Sequence, residues 1–184
     1  DALITGIRDY FKKLGFSRAI LGSSGGIDSA IVQYLAVQAL GAKNVKAVLL
    51  PSRYSSDHSV NDAVLLSENL DNPYEIISIE KAFQSFEDTL LKQFAGLPSD
   101  ITEENIQSRC RAVILMALSN KFGSILLNTS NKSENAVGYG TLYGDMCGGL
   151  SVIGDLYKSH VYDLAAFINR KKEIIPQHII TKAP

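Results

Sequence analysis

Between the apolar run Ala19-Ile20-Leu21 and a helical pattern that starts at Ile27 lies Gly22-Ser23-Ser24-Gly25-Gly26-Ile27-Asp28-Ser29. Its residue types suit the holding of phosphate. Gly25 and Gly26 permit backbone angles that side chains disfavour, so successive N–H groups can converge on one concavity. The following helix adds its unpaired N–H groups and about half a positive charge. Ser23, Ser24 and Ser29 contribute hydroxyl donors. Asp28 places a carboxylate where it would repel phosphate unless a cation lay between them, which points to Mg²⁺. The stretch lacks the lysine of a Walker loop and is not Gly-x-Gly-x-x-Gly. A glycine-rich strand-to-helix turn with an acidic dipole partner is the plainer alternative.

Further along, Asn105 and Arg109 stand four apart in a helical pattern, so both project from one face near its start and could grip one anion. A solvated helix face explains them equally well. Glu134 follows a strand-like run by a few residues, which brings its carboxylate to the same sheet edge as Asp28, and two carboxylates with phosphate oxygens make a usual Mg²⁺ shell. Lys158, at the start of a helix where a cation is locally disfavoured, offers a mobile charge for a leaving pyrophosphate. Asp145 can contact a ligand or cap a turn. Cys110 falls on an apolar stripe, no base marks Cys147 as a nucleophile, and the two cysteines have no metal-ligand spacing, so no structural zinc is expected.

The elements that must position these residues alternate. Leu3, Ile7, Tyr10, Phe11 and Leu14 recur at helical spacing before Gly15. Residues 17–21 predict a buried strand, and Ala30, Ile31, Tyr34, Leu35 and Ala39 a helical stripe ending at Gly41. Residues 45–50 predict the second strand, followed by the polar loop 52–59, at the strand end where open α/β sheets bind ligands; adenosine contacts are expected there. Ser55 or Ser56 caps a helix carrying Val60, Ala63, Val64 and Leu70. A third strand over 74–79 precedes a helical stripe of Phe83, Phe86, Leu90 and Phe94. A helix from Thr102 places Ile106, Cys110, Val113, Ile114, Ala117 and Leu118 on one face, and a fourth strand covers 124–128. Val161, Leu164, Ala165 and Ile168 form the last helix. The alternation predicts an α/β fold: one domain over residues 1–184 with a doubly wound parallel sheet and helices on both faces. Six glycines between Gly138 and Gly154 mark a long irregular stretch of the kind that is usually functional.

Of 184 residues, 46% are hydrophobic and 20% charged, and the net charge is −1, which fits one globular domain without an electrostatic footprint for nucleic acid. No apolar run reaches the length of a membrane span and no leader precedes the first helix, so a cytoplasmic protein without membrane partners is expected. The chain opens on Asp1 and stops at Ala183-Pro184, which suggests a piece of a longer protein.

The loop resembles the Ser-Gly-Gly-x-Asp-Ser signature of the PP-loop ATP pyrophosphatases. The stretches Glu104-Asn105-Ile106-Gln107-Ser108-Arg109, Asn128-Thr129-Ser130-Asn131-Lys132-Ser133-Glu134, Ala136-Val137-Gly138-Tyr139, Thr141-Leu142-Tyr143-Gly144-Asp145 and Gly148-Gly149 narrow this. With them the chain resembles the NAD synthetases from the loop to Lys158-Ser159-His160-Val161-Tyr162. The resemblance implies a Rossmann-like, adenine nucleotide alpha hydrolase-like fold and an ATP-dependent amidation of deamido-NAD through an acyl-adenylate. It implies ATP on Gly22, Ser23, Ser24, Gly25, Gly26, Ile27, Asp28, Ser29, Thr129 and Lys158. Mg²⁺ would sit on Asp28 and Glu134, and deamido-NAD against Asn105, Arg109, Glu134 and Asp145. Asp28, Glu134 and Lys158 would carry the catalysis.

Ammonia-only members tend to carry lysine where Leu142 stands and aspartate where Gly149 stands. The chain looks more like the synthetase domain of the glutamine-dependent members, whose ammonia comes from a linked glutaminase domain, and family members pair as homodimers. A mobile C-terminal loop of the family would lie beyond Pro184. Two other readings stay open: another PP-loop ligase, such as a GMP synthetase-like enzyme, and a non-catalytic nucleotide-binding module.

Overall fold

A computed structural model describes residues 1–182; the expectation placed on Ala183-Pro184 lies outside them. The elements run α1 (Ala2–Leu14), β1 (Ala19–Gly22), α2 (Ile27–Leu40), β2 (Val45–Leu49), α3 (Asp57–Leu70), β3 (Tyr74–Ile76), α4 (Glu80–Leu90), α5 (Ile101–Phe122), β4 (Ile125–Asn128), α6 (Lys132–Val137), β5 (Leu150–Ser151), α7 (Lys158–Asn169) and α8 (Gln177–Thr181), with a 3₁₀ turn at Ala42–Asn44. The strands form one sheet in the order β3-β2-β1-β4-β5, and every pairing is parallel. This is the doubly wound α/β fold expected, and its order reverses between β1 and β4, where such sheets open a crevice at their carboxyl ends.

Alternation along the strands builds two cores. Ala19, Leu21, Ile125 and Leu127 face α1, α2 and α7, whereas Ile20, Val48 and Leu126 face Phe83 of α4 and Cys110 of α5. A parallel sheet covered on both sides takes such near-continuous apolar runs. Helix α2 is more enclosed than its predicted stripe implies, with Ile27, Ala30, Ile31, Val32, Leu35, Ala36 and Val37 all buried, because α1, α3, α7 and α8 surround it. Its polar Gln33 is buried too, and accepts from Ser23 Oγ at 3.0 Å while donating to Ser67 and Asn72.

Other elements depart from expectation. Strand β3 is a three-residue exposed edge that stops short of 79. Only Phe83 of the α4 stripe is buried, Phe86 is half exposed, and Phe94 lies past the helix. Val113 on α5 is 67% exposed, because the buried positions there are Gln107, Cys110, Ala112 and Ser119. Helices α6 and α8 and the two-residue β5 carry too little apolar periodicity to be predicted. Among the described residues no helix is long and apolar enough to cross a membrane.

Candidate functional site

The cradle follows β1 and starts α2. Gly25 has φ 75°, and a Cβ there would stand 2.3 Å from the Ser59 carbonyl oxygen, so glycine is required both for the left-handed turn and for the close approach to α3. The loop is braced from within: Ser29 Oγ donates to the Gly26 carbonyl at 2.9 Å and accepts from Ser24 N at 3.3 Å, and Gly26 N donates to Ser24 Oγ at 3.2 Å. Ser23 is tied down by Val48 O and Gln33. The serine hydroxyls expected as ligand donors therefore shape the loop. The amides of Gly25, Ile27, Asp28 and Ser29 have no acceptor among the described residues, which leaves them for an anion at the start of α2.

Across the switch point, β4 ends at Asn128 and α6 starts on Asn131. Asn131 Oδ1 accepts from Glu134 N at 3.0 Å and Glu134 Oε2 accepts from Asn131 N at 3.2 Å, a reciprocal capping box. Asn131 is wholly buried and turns its amide to Asp28, donating from Nδ2 to Oδ1 at 3.0 Å. Lys158, the first residue of α7, pairs with the other Asp28 oxygen, and its amide donates to Ser133 Oγ at 3.0 Å. Cradle, α6 and α7 thus converge on one carboxylate.

Burial pushes the Glu134 carboxyl above its ordinary range; its bond from Asn131 N opposes this, Asp28 adds to it, Lys158 subtracts and Asp145 adds. Asp28, Glu134 and Lys158 therefore share one electrostatic neighbourhood. Among the described residues no three His, Cys, Asp or Glu side chains form a metal cage. Asp28 and Glu134 could offer two carboxylates to a hard cation that takes the rest of its shell from phosphate and water.

A cleft of about 840 Å³ lies between α5, residues 51–60 at the approach to and start of α3, and the 138–145 turn. Ser23, Ser24, Asn105 and Asp145 line it, as do Tyr54, Ser55, Ser56 and Ser59 of the loop expected to contact adenosine. Asn105 Oδ1 accepts from Thr141 Oγ1 at 2.7 Å. Asp145 lines the cleft and caps its own turn, with Thr141 N donating to Oδ1 at 2.8 Å and Ser108 Oγ to Oδ2 at 3.2 Å. Gly144 packs so close to Ser108 that a Cβ would meet its Oγ at 2.3 Å.

Arg109 is exposed, donates from Nε to the Leu142 carbonyl at 3.2 Å, and is not among the cleft-lining residues. A second, more apolar cavity of about 220 Å³ adjoins the cleft over Gly22, Val48, Leu115, Leu126 and Thr129. Cys147 lines it, and burial with Asp145 pushes its thiol up, so it stays protonated and a poor nucleophile. Two residues here carry no role in the sequence-based expectations: Asn131, which stands within the quoted 128–134 stretch, and Arg111, which lines the cleft. The Asn-x-x-Glu spacing of a capping box would have found the first; nothing local distinguishes the second.

The sequence model of the NAD synthase family matches residues 1–184. The glutamine-dependent NAD(+) synthetase of Thermotoga maritima is 54% identical over 185 residues, which are 100% of this chain and 32% of that protein. The solved structure of glutamine-dependent NAD+ synthetase from Acinetobacter baumannii in complex with ADP superposes with a TM-score of 0.95 at 46% identity, over 98% of this chain and 35% of that one. NMN synthetase from Francisella tularensis gives 0.88 at 30% identity, over 100% of this chain and 72% of its own. This chain spans about a third of the length of the curated relatives it matches. A cradle and a capping box that meet on one carboxylate, in a sheet wound in this order, accompany a match that runs from end to end: the chain belongs to the NAD synthase family.

Proposed function

We propose that this chain is the amidating part of a glutamine-dependent NAD synthetase. The carboxylate of deamido-NAD attacks the α-phosphorus of ATP and pyrophosphate leaves; ammonia then attacks the acyl carbon and AMP leaves, giving the amide of NAD. The observation that carries this reading is the meeting of Asp28, Asn131, Glu134 and Lys158 beside the unpaired amides at the start of α2.

Gly22 to Ser29 hold the ATP phosphates, with the adenine in the apolar cavity beside Thr129. The dinucleotide lies in the larger cleft against Asn105 and Asp145, and Arg109 supports its rim through the turn at Leu142. Asp28 and Glu134 are the residues that would hold Mg²⁺, which supplies charge neutralisation for the polyphosphate. Lys158, released from Asp28, reaches the departing pyrophosphate. No protein nucleophile is needed, since in-line positioning alone is worth roughly 7–11 kcal/mol. In this reading the ammonia comes from a linked glutaminase domain, the protein is a cytoplasmic homodimer, and the 52–59 loop contacts adenosine.

A mononucleotide acid as acceptor is the second reading, favoured by the likeness to NMN synthetase. Incubating the full-length native protein with ATP, Mg²⁺ and ammonium, and following AMP and amide product, separates the readings. Release of AMP that depends on deamido-NAD is expected, against little with nicotinate mononucleotide, xanthosine monophosphate or aspartate. AMP release indifferent to deamido-NAD would overturn the proposal. Asp28→Asn is expected to lower turnover by roughly 10²- to 10³-fold; unchanged turnover would remove the cation site from the account.

A further inference from the structure

Arg111 is the one cationic side chain among the described residues that line the large cleft, and it also lines the adjoining apolar cavity. The two carboxylates on the cleft wall are Glu104 and Asp145, and both Asp145 oxygens already accept hydrogen bonds from Thr141 and Ser108. Arg111 Nε donates to the Leu50 carbonyl at 3.0 Å, which fixes the guanidinium at the end of β2. The remaining four of its five N–H donors have no acceptor among the described residues, and no carboxylate there lies within ion-pairing distance. Neither terminal nitrogen is sealed off from solvent, and the residue lines both the cleft and the cavity.

Asp100, Glu103 and Glu104 share a further cavity with Arg111 but none pairs with it, and a half-buried cation with no carboxylate in contact is costly unless an anion completes it. Burial pushes Arg111 below its ordinary range, consistent with that cost. A planar fork held by its Nε and open on its outer edge suits two oxygens of a phosphate or carboxylate. Arg109, two residues away, faces Leu142 at the surface instead.

We propose that Arg111 grips a nucleotide oxyanion where the cleft meets the apolar cavity. This rests on the nucleotide reading above. The oxyanion is a phosphate of ATP or an anionic group of the dinucleotide, and the two arms of the test tell them apart.

The test measures equilibrium binding of ATP, of deamido-NAD and of adenosine, which has no oxyanion, to the full-length native protein and to its Arg111→Gln and Arg111→Lys variants. Arg111→Gln is expected to weaken one of the two nucleotides by about 10- to 100-fold and to leave adenosine unchanged. Arg111→Lys, which keeps the charge without the fork, is expected to recover part of the loss, and it carries the test if the glutamine variant does not fold. A loss confined to ATP assigns the phosphate; a loss confined to deamido-NAD assigns the dinucleotide. Unchanged affinity for both overturns the proposal. Equal weakening of adenosine also overturns it, because it reduces Arg111 to a brace for Leu50. The affinities of the unsubstituted protein test the underlying reading, and the ratio of variant to unsubstituted protein tests Arg111.

Discussion

Helix α5 starts on Asp100, with Glu103 Oε2 accepting from the Asp100 amide at 2.8 Å, and helix α6 starts on Asn131, with Glu134 Oε2 accepting from the Asn131 amide at 3.2 Å. The device is the same, and both glutamates sit at the positive end of a helix. Their charges behave oppositely. The bond from the Asp100 amide outweighs burial and draws Glu103 below the ordinary glutamate range, whereas at Glu134 burial outweighs the same kind of bond and the neighbouring Asp28 pushes further upward. Asp100 itself is lowered, mainly by the Thr102 hydroxyl and amide. One cap therefore stabilises a helix with a contented carboxylate. The other holds a carboxylate at the cost of its ionisation, because burial and Asp28 act on it together.

Exchanging the acid for its amide at each cap tests this most sharply. In the full-length native protein, Glu134→Gln is expected to lower ATP-dependent amidation by roughly 10²- to 10³-fold, while its melting temperature at neutral pH is no lower than that of the unsubstituted protein. The amide oxygen still accepts from Asn131, and the poorly solvated charge is gone. Glu103→Gln is expected to leave turnover unchanged. A matching loss of activity at Glu103, or a collapse in stability at Glu134, would erase the distinction.

Removing the cap residues gives a smaller contrast. Asn131→Ala should lower stability by about 1 kcal/mol and turnover by roughly tenfold or more, because Asp28 loses the amide that orients it. Asp100→Ala is expected to shift only the melting temperature, since it touches Thr102 and the start of α5.

The pH dependence of melting, measured without divalent cation or nucleotide, is the subtlest comparison. Because Glu134 is raised, the folded state binds more protons than the unfolded one between the ordinary glutamate value and the raised one, so stability falls as pH rises through that window. Asp100 and Glu103 are lowered, so the stability they contribute is present above their ordinary values and is lost as pH falls through their folded ones. Glu134→Gln should flatten the first slope and Glu103→Gln part of the second.

Where sequence and geometry agree, the signal was chemical. Gly25 was legible because a positive φ and a backbone contact leave no other choice, Asp28 because of the glycine and serine residues around an acid that is otherwise an ordinary dipole partner, and Lys158 because a cation at a helix start is disfavoured. Two facing cores were legible from the apolar strands. Arg109 and Arg111 show where legibility ends. Two positions apart on a helix they point to nearly opposite sides, and α5 buries Gln107 and Ser119 while exposing Val113, so its polarity pattern does not say which side meets the cleft. Helix α6 has six residues and no buried one, so it announces itself only through its cap. The serine hydroxyls of the cradle carry a related ambiguity: a donor beside a candidate anion site also has the loop's own carbonyl within reach, and Ser29 takes that partner.

The contact between Gly25 and Ser59 has a mechanical side. With only 2.3 Å between the Ser59 oxygen and the place a Cβ would occupy, the two backbones touch without slack, and Ser59 Oγ in turn accepts from Lys182 Nζ at 3.3 Å. The first turn of α3 is a stop against which the turn after β1 is seated. A shift of Ser59 toward Gly25 would meet hard repulsion, so the position of α3 and the shape of that turn are set together.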